Sequence, residues 1–231
     1  MPLGRKFVIA ASVILLLLPM RAAFADDDLQ RVLHDLDVAA ATFHSTTADF
    51  EFDSIQTDPV PDKDVQKGTV YYERAGNGFQ MGIHIREING KVVPKIITVS
   101  RGVFKLFEKM IDQVTTCTRV SKYEGYLELG FGASGKELAN KWNIRYLGSE
   151  VVDGVKTEKL ELVAKDPDVL KLFPKVTIWV DPEHAVSLKQ EFAEGQGQSR
   201  ICHYFNITVN QPLPTDAFTL KTDSKTQFVN R

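Results

Sequence analysis

The sequence predicts a mainly β protein of the α+β class, one N-terminal helix feeding ten or eleven antiparallel strands. Three observations carry that expectation. Apolar residues recur at three- and four-residue steps most clearly over residues 27–44. After residue 44 the period drops to two, as in a strand with one dry face and one wet face. Turn-forming residues then break the chain at short intervals: Ala75-Gly-Asn-Gly78, Asn89-Gly90, Asp153-Gly154, Asp181-Pro182 and Gly195-Gln-Gly197.

The first element is not part of that fold. Arg5 and Lys6 precede a short apolar run, Phe7 to Leu18, and Ala23-Phe24-Ala25 has the small-x-small form of a cleavage site. The run is well short of the ~20 residues a permanent span needs. Residues 1–25 therefore read as a cleaved signal peptide, and residues 26–231 as one exported, periplasmic domain. The cleavage point has no cysteine for lipid attachment. The whole chain holds 28 basic and 30 acidic residues; cleavage removes Arg5, Lys6 and Arg21 and no acid, leaving 25 against 30, a net −5. That balance argues against a nucleic-acid partner, which selects basic surfaces.

In the helix, Leu29, Val32, Leu33, Leu36, Ala40 and Phe43 form the apolar stripe. Asp26, Asp27 and Asp28 suit the positive end of its dipole. Strands follow. Phe50 and Phe52 alternate with Asp49, Glu51 and Asp53; Phe79, Met81, Ile83 and Ile85 alternate with Gln80, His84 and Arg86. Val186, Leu188 and Phe192 oppose Ser187, Lys189 and Glu191, and Ile201, Phe205, Ile207 and Val209 oppose Tyr204, Asn206 and Thr208. Further strands are expected at 66–74, 91–99, 102–108, 111–119, 144–149, 155–163 and 175–180, and short helices at 121–129, 134–141 and 166–172. The polar tail, 210–231, is expected to lie across the outside.

So wide a sheet curls, and one helix cannot cover its dry face. Alternation alone leaves two outcomes: a sheet closed on a packed interior, or a partly open one that lines a cavity. Phe50, Phe52, Phe79, Met81, Ile83, Ile85, Phe104, Leu106, Ile178, Leu188 and Phe205 are the candidates for an inner face. As cavity lining they favour an acyl chain, each buried CH₂ contributing about 0.8 kcal/mol. Cys117 and Cys202 fall in strand-like runs, and an oxidising compartment permits a disulfide between them; two buried thiols are the alternative.

The stretch GFGASGKE (130–137) has the glycine and lysine spacing of a phosphate loop, but Glu137 stands where a Ser or Thr would hold Mg²⁺. It reads instead as a capping box, Ser134 with Glu137, and no nucleotide is expected. The histidines lack metal-ligand spacing, and no G-x-S-x-G elbow is present. Neither a metal, a cofactor nor catalysis is expected.

The order of these pieces resembles the LolA family, periplasmic carriers of outer-membrane lipoproteins, and its wider lipid-binding superfamily. The segment KGTVYYERAGNGFQM (67–81) is similar to the family's G-x-l-x-x-x-R-P-x-x-F-R-W strand pair, and ITVSRGVFKLFEKMIDQVT (97–115) to its i-v-s-d-G-x-x-l-w-x-y run. The closing hairpins from Lys175 to Leu220 match its N-x-x-l-x-x-x-x-F ending. The resemblance implies an incomplete antiparallel barrel with helices as a lid over an apolar cavity. It implies a monomeric, non-enzymatic carrier of acylated lipoprotein or another lipid, loaded by an inner-membrane releasing complex and emptied by an outer-membrane acceptor. It also places the lid latch, an Arg in the family, at Gln80. Three alternatives remain: a periplasmic sensor of the anti-sigma-binding type on the same fold, an exported hydrolase on a β-barrel, and a packed barrel without a ligand.

Overall fold

The computed structural model describes residues 20–76, 78–118, 128–195 and 197–231. Residues 1–19 of the expected signal peptide, and nearly all of the helix expected at 121–129, lie outside them. Helix α1 (Met20–Thr42) leads into strands β1 (Ser45–Gln56), β2 (Asp62–Ala75), β3 (Gly78–Ile88), β4 (Lys91–Ser100), β5 (Val103–Glu108) and β6 (Gln113–Cys117). Helix α2 (Gly135–Lys141) precedes β7 (Trp142–Val152) and β8 (Val155–Ala164); α3 (Pro167–Leu172) precedes β9 (Lys175–Asp181), β10 (Val186–Gly195) and β11 (Gln198–Val209). The tail adds β12 (Gln227–Asn230).

All twelve strands form one sheet in the order β12-β6-β5-β4-β3-β2-β1-β11-β10-β9-β8-β7. Two meanders, β1–β6 and β7–β11, are joined where β1 pairs with β11. Neighbours are antiparallel except β6 and β12. The outer strands β7 and β12 do not meet, so the barrel is incomplete. The twelfth strand comes from the tail, whose four-residue pairing is too short to show as a period.

Helix α1 begins before its expected start, which puts Asp26–Asp28 inside the helix rather than at its N-terminus. Its C-terminal carbonyls are satisfied from a distance. Asn210 Nδ2 donates to Thr42 O (2.8 Å), and Arg74 Nη1 donates to Ala40 O (2.6 Å). Val32 and Leu36 on α1 pack against Leu160, Leu162, Val176, Ile178 and Val180, all at most 2% exposed. A second cluster gathers Phe43, Phe50, Val70, Tyr72, Phe79 and Met81 along β1–β3. A third lies on the other face of the sheet, where Ile96, Phe107 and Val114 meet Leu220 of the tail. The tail crosses that outer face as a strap. Its Ala217 carbonyl sits 3.1 Å from His84 Nε2, and it packs so closely on β3 that a Cβ at Gly82 would lie 1.9 Å from the Ala217 oxygen. Burial, the larger influence, lowers the His84 pKa.

Cys117 and Cys202 are free thiols. They belong to β6 and β11, six strands apart in the sheet, so the possible bridge is not made, and of the two thiols Cys202 is buried and Cys117 half-buried.

Candidate ligand-binding cavity

Where α1 does not reach, the inner face of the sheet is open. A cavity of about 390 Å³ lies there, walled by β1–β5, β10 and β11 and capped by Phe131 and Phe173. Such a volume is at the small end of ligand sites, which run about 300–1,000 Å³. Six of the eleven inner-face candidates line it: Phe50, Phe52, Met81, Ile83, Ile85 and Phe104. Alternation on β1, β3 and β5 sends them to one side.

The other five lie elsewhere. Phe79 is buried beside the cavity, stacked on Tyr72 at 5.4 Å. Leu106 pairs with Ile97, a lining residue, but is not itself part of the wall. Ile178 faces inward in the half that α1 fills. Leu188 sits at a register shift between β9 and β10 and borders a separate groove of about 550 Å³. Phe205 borders that groove too, and its placement is a correction with a clear cause. The β1–β11 register slips between Thr47 and Asp49, and Asn206 takes a φ of 52°. The extra residue reverses the facing of β11. Cys202 and Tyr204 therefore point into the cavity, Phe205 pairs with outward-facing Asp49, and Ile207 and Val209 return to the inner cluster. The groove's wall also holds Asp153, Asp181 and His184, whose polar groups an acyl chain would strip of water.

The cap is built by the former phosphate-loop candidate. Glu137 N donates to Ser134 Oγ (3.2 Å) and Ser134 N to Glu137 Oε2 (2.9 Å), so the capping box starts α2. The glycines let the loop approach closely. Gly132 has φ +70°, and a Cβ there would lie 2.2 Å from the Phe43 ring. This delivers Phe131 onto Tyr204 (5.1 Å, edge to face) and Tyr72 (5.7 Å, stacked), closing the deep end of the cavity.

The latch is not Gln80. Gln80 Nε2 donates to Glu73 Oε2 (2.6 Å) on the outer face. Arg74 does what was expected of Gln80: Nη2 donates to Gly132 O (2.5 Å) in the cap, and Nη1 donates to Ala40 O and Phe43 O at the end of α1. Its guanidinium also lies 5.6 Å from the Phe43 ring centroid. One side chain thus ties β2, α1 and the cap together. The sequence carried a signal for it. Arg74 follows Val70 and Tyr72 at two-residue steps, a charge in line with buried apolar residues.

Sequence reasoning also missed Gln66, Val70, Ile97, Gln190, Phe192, Arg200, Cys202 and Tyr204 on the wall. The polar ones are mostly spoken for. Gln190 Nε2 donates to Leu129 O at 2.5 Å. Burial pushes the Cys202 thiol up to about 12 and the Tyr204 hydroxyl well above its ordinary value. A thiol so placed stays protonated and is a poor nucleophile. Among the described residues, no three His, Cys, Asp or Glu side chains cluster to hold a metal, and no helix is long and apolar enough to cross a membrane.

No protein-family model matches the chain. A segment of 116 residues is 27% identical to an uncharacterized protein of Methanocaldococcus jannaschii; the match covers 50% of this chain and 32% of that protein, about a third of its length. Among solved structures, an uncharacterized conserved protein from Thermus thermophilus has a TM-score of 0.55 at 9% identity, covering 88% of this chain and 99% of that one. MucB has a TM-score of 0.53 at 11% identity, covering 88% of this chain and 66% of MucB. The similar structures include a LolA superfamily protein from Nitrosomonas europaea, with a TM-score of 0.42 at 16% identity over 83% of this chain and 97% of that one. At 9% and 11% identity, the likeness to the Thermus thermophilus protein and to MucB is one of fold.

Proposed function

We propose that this protein is an extracytoplasmic lipid carrier of the LolA type. Residues 1–25 direct export and are removed, and residues 26–231 work as a single monomeric domain in the periplasm. The carrier takes acyl chains of lipoproteins or related lipids from a releasing complex at the inner membrane and delivers them to an acceptor at the outer membrane, with no covalent step. The observation that supports this best is the apolar hollow of about 390 Å³ under a latched cap. An acyl chain entering it gains about 0.8 kcal/mol per CH₂, and opening the cap returns the chain to an acceptor. Transfer then needs only that the open and closed states bind the chain unequally.

Two measurements test the proposal. Protein expressed with its export signal is purified, extracted into organic solvent and analysed by mass spectrometry; an acyl-bearing species at near one per chain is expected. Ile83→Glu, which sets a carboxylate in the cavity wall, abolishes uptake of a fluorescent acyl probe, while Arg86→Gln on the outer face leaves it unchanged. Failure of both measurements would leave the regulatory, protein-binding reading of the same fold.

A further inference from the structure

The walls of the cavity are apolar along their length, but its two ends differ. At the deep end stand Phe131, Tyr204 and Met81. At the other end, toward the β1–β2 and β10–β11 turns, stand Gln66 and Arg200. Gln66 pairs with Phe52 and Arg200 with Ser54, so the two polar residues flank β1 on the same face of the sheet. Among the described lining residues Arg200 alone carries a charge. Its side chain is 45% exposed, and Nε lies 2.7 Å from Oε1 of Glu194, which is only 14% exposed. A guanidinium has five N–H donors, more than one carboxylate takes up. Glu194 therefore orients Arg200 without exhausting it. The remaining donors stand where the head of a chain threaded tail-first emerges.

The volume admits an acyl tail. In water-sized units of about 30 Å³, 390 Å³ holds on the order of a dozen methylene groups. That is room for at least one chain of moderate length. Among the described lining residues there is no second cation.

Resting on the carrier reading, we infer that this cavity takes an acyl amphiphile with an anionic oxygen head, a tail lying against Phe52, Ile83 and Phe104 and the head held by Arg200 at the mouth. A carboxylate and a phosphate share the chemistry, each offering two oxygens to the planar guanidinium. Glu194 weakens the contact by repulsion, which keeps the guest releasable.

The test is displacement of a fluorescent acyl probe from the delipidated full-length protein at neutral pH. The competitors are laurate, lauroyl lysophosphatidate and dodecanol, which share a chain length and differ in the head. Wild type is expected to bind at least one of the two anions about tenfold more tightly than dodecanol; which one distinguishes a fatty acid from a lysophospholipid source. Arg200→Gln removes that preference while dodecanol binding persists, which shows that the variant's cavity is intact. Glu194→Gln widens the preference. Equal affinity for all three heads in wild type overturns the inference and leaves the carrier reading standing, as does an anion preference that survives Arg200→Gln. Binding of none of them overturns the carrier reading itself.

Discussion

The two halves of the inner face are made of the same kind of strand and end in opposite states. Over β7–β9 the face is filled: Val32 and Leu36 of α1 descend onto Leu160, Leu162, Val176 and Ile178, none more than 1% exposed. Over β1–β5 the same alternation leaves a hollow rimmed by Phe52, Ile83 and Phe104. What separates them lies above the strands. α1 lies across one half and stops at Thr42, and Phe43 is the last of its stripe to reach the second cluster. Beyond that point, among the described residues, Phe131 and Phe173 come down from loops onto the cavity. Whether this curled sheet is core or container is thus decided by where α1 ends.

The largest expected effect tests that division directly. Leu160→Ala, in the filled half, leaves a cavity where packing is complete and should cost about 2–5 kcal/mol of unfolding free energy in urea denaturation. Ile83→Ala on the wall of the hollow removes a side chain already open on one side and should cost less than about 1.5 kcal/mol. Equal losses would mean that the hollow is occupied by the protein's own side chains in solution, and the contrast between the halves would vanish.

Next in size is the seam between the halves. Arg74 holds the end of α1 and the cap together through hydrogen bonds of 2.5 and 2.6 Å to carbonyls. Arg74→Ala should cost about 2–3 kcal/mol, since charged donors contribute about 1.5–3 kcal/mol each and the bonds share one side chain. Amide hydrogen exchange should rise over residues 128–138 and release of an acyl probe should quicken, with β8 and β9 still protected. Arg74→Lys, a single point donor, restores only part of the effect. Exchange rising equally across the whole sheet would show that Arg74 supports the fold and not the cap.

The difference between the halves was only partly legible beforehand. Period-two alternation was enough to place Phe50, Phe52, Met81, Ile83, Ile85 and Phe104, because β1, β3 and β5 keep a constant facing across the cavity. It failed at Phe205, where one inserted residue at Asn206 reverses the facing of the strand. It could not reach Phe131 and Phe173, which sit on irregular backbone with no period to read. It could not divide Ile178 from Ile83 either, since both point inward and only the path of α1 tells filled from hollow. The latch fell on the wrong side of a hairpin. Arg74 pairs with Phe79 on the inner face, whereas Gln80 pairs with Glu73 on the outer one. Facing decides which of the two polar residues can reach the Gly132 loop.

The smallest predicted effect concerns the far end of the filled half, where α1 is moored by charge. Glu158 on β8 is 2% exposed; it accepts hydrogen bonds from Tyr146 (2.7 Å), Ser149 (2.7 Å) and Arg31 of α1 (3.3 Å). Burial by itself would raise its pKa, but those donors and the Arg31 charge together hold it below the ordinary glutamate value. Arg31 is shared with Asp28 and Asp35, each 3.6 Å away, and is 45% exposed, so the mooring contributes on the order of 1 kcal/mol or less. The sign follows from linkage. A carboxylate whose pKa is lower folded than unfolded adds stability in full above the unfolded value, and loses it as the pH falls through the folded one. Urea midpoints taken from about pH 6 down to about pH 3 should therefore fall more steeply for wild type than for Glu158→Gln, which cannot titrate. Asp49 is also depressed and is common to both proteins, so the difference between the curves isolates Glu158. Acid should loosen α1 over β7–β9 before it disturbs β1–β5, making the filled half briefly resemble the hollow one. Curves that stay parallel down to the acid limit would show that Glu158 does not hold α1 and that packing of Val32 and Leu36 holds this part of the helix.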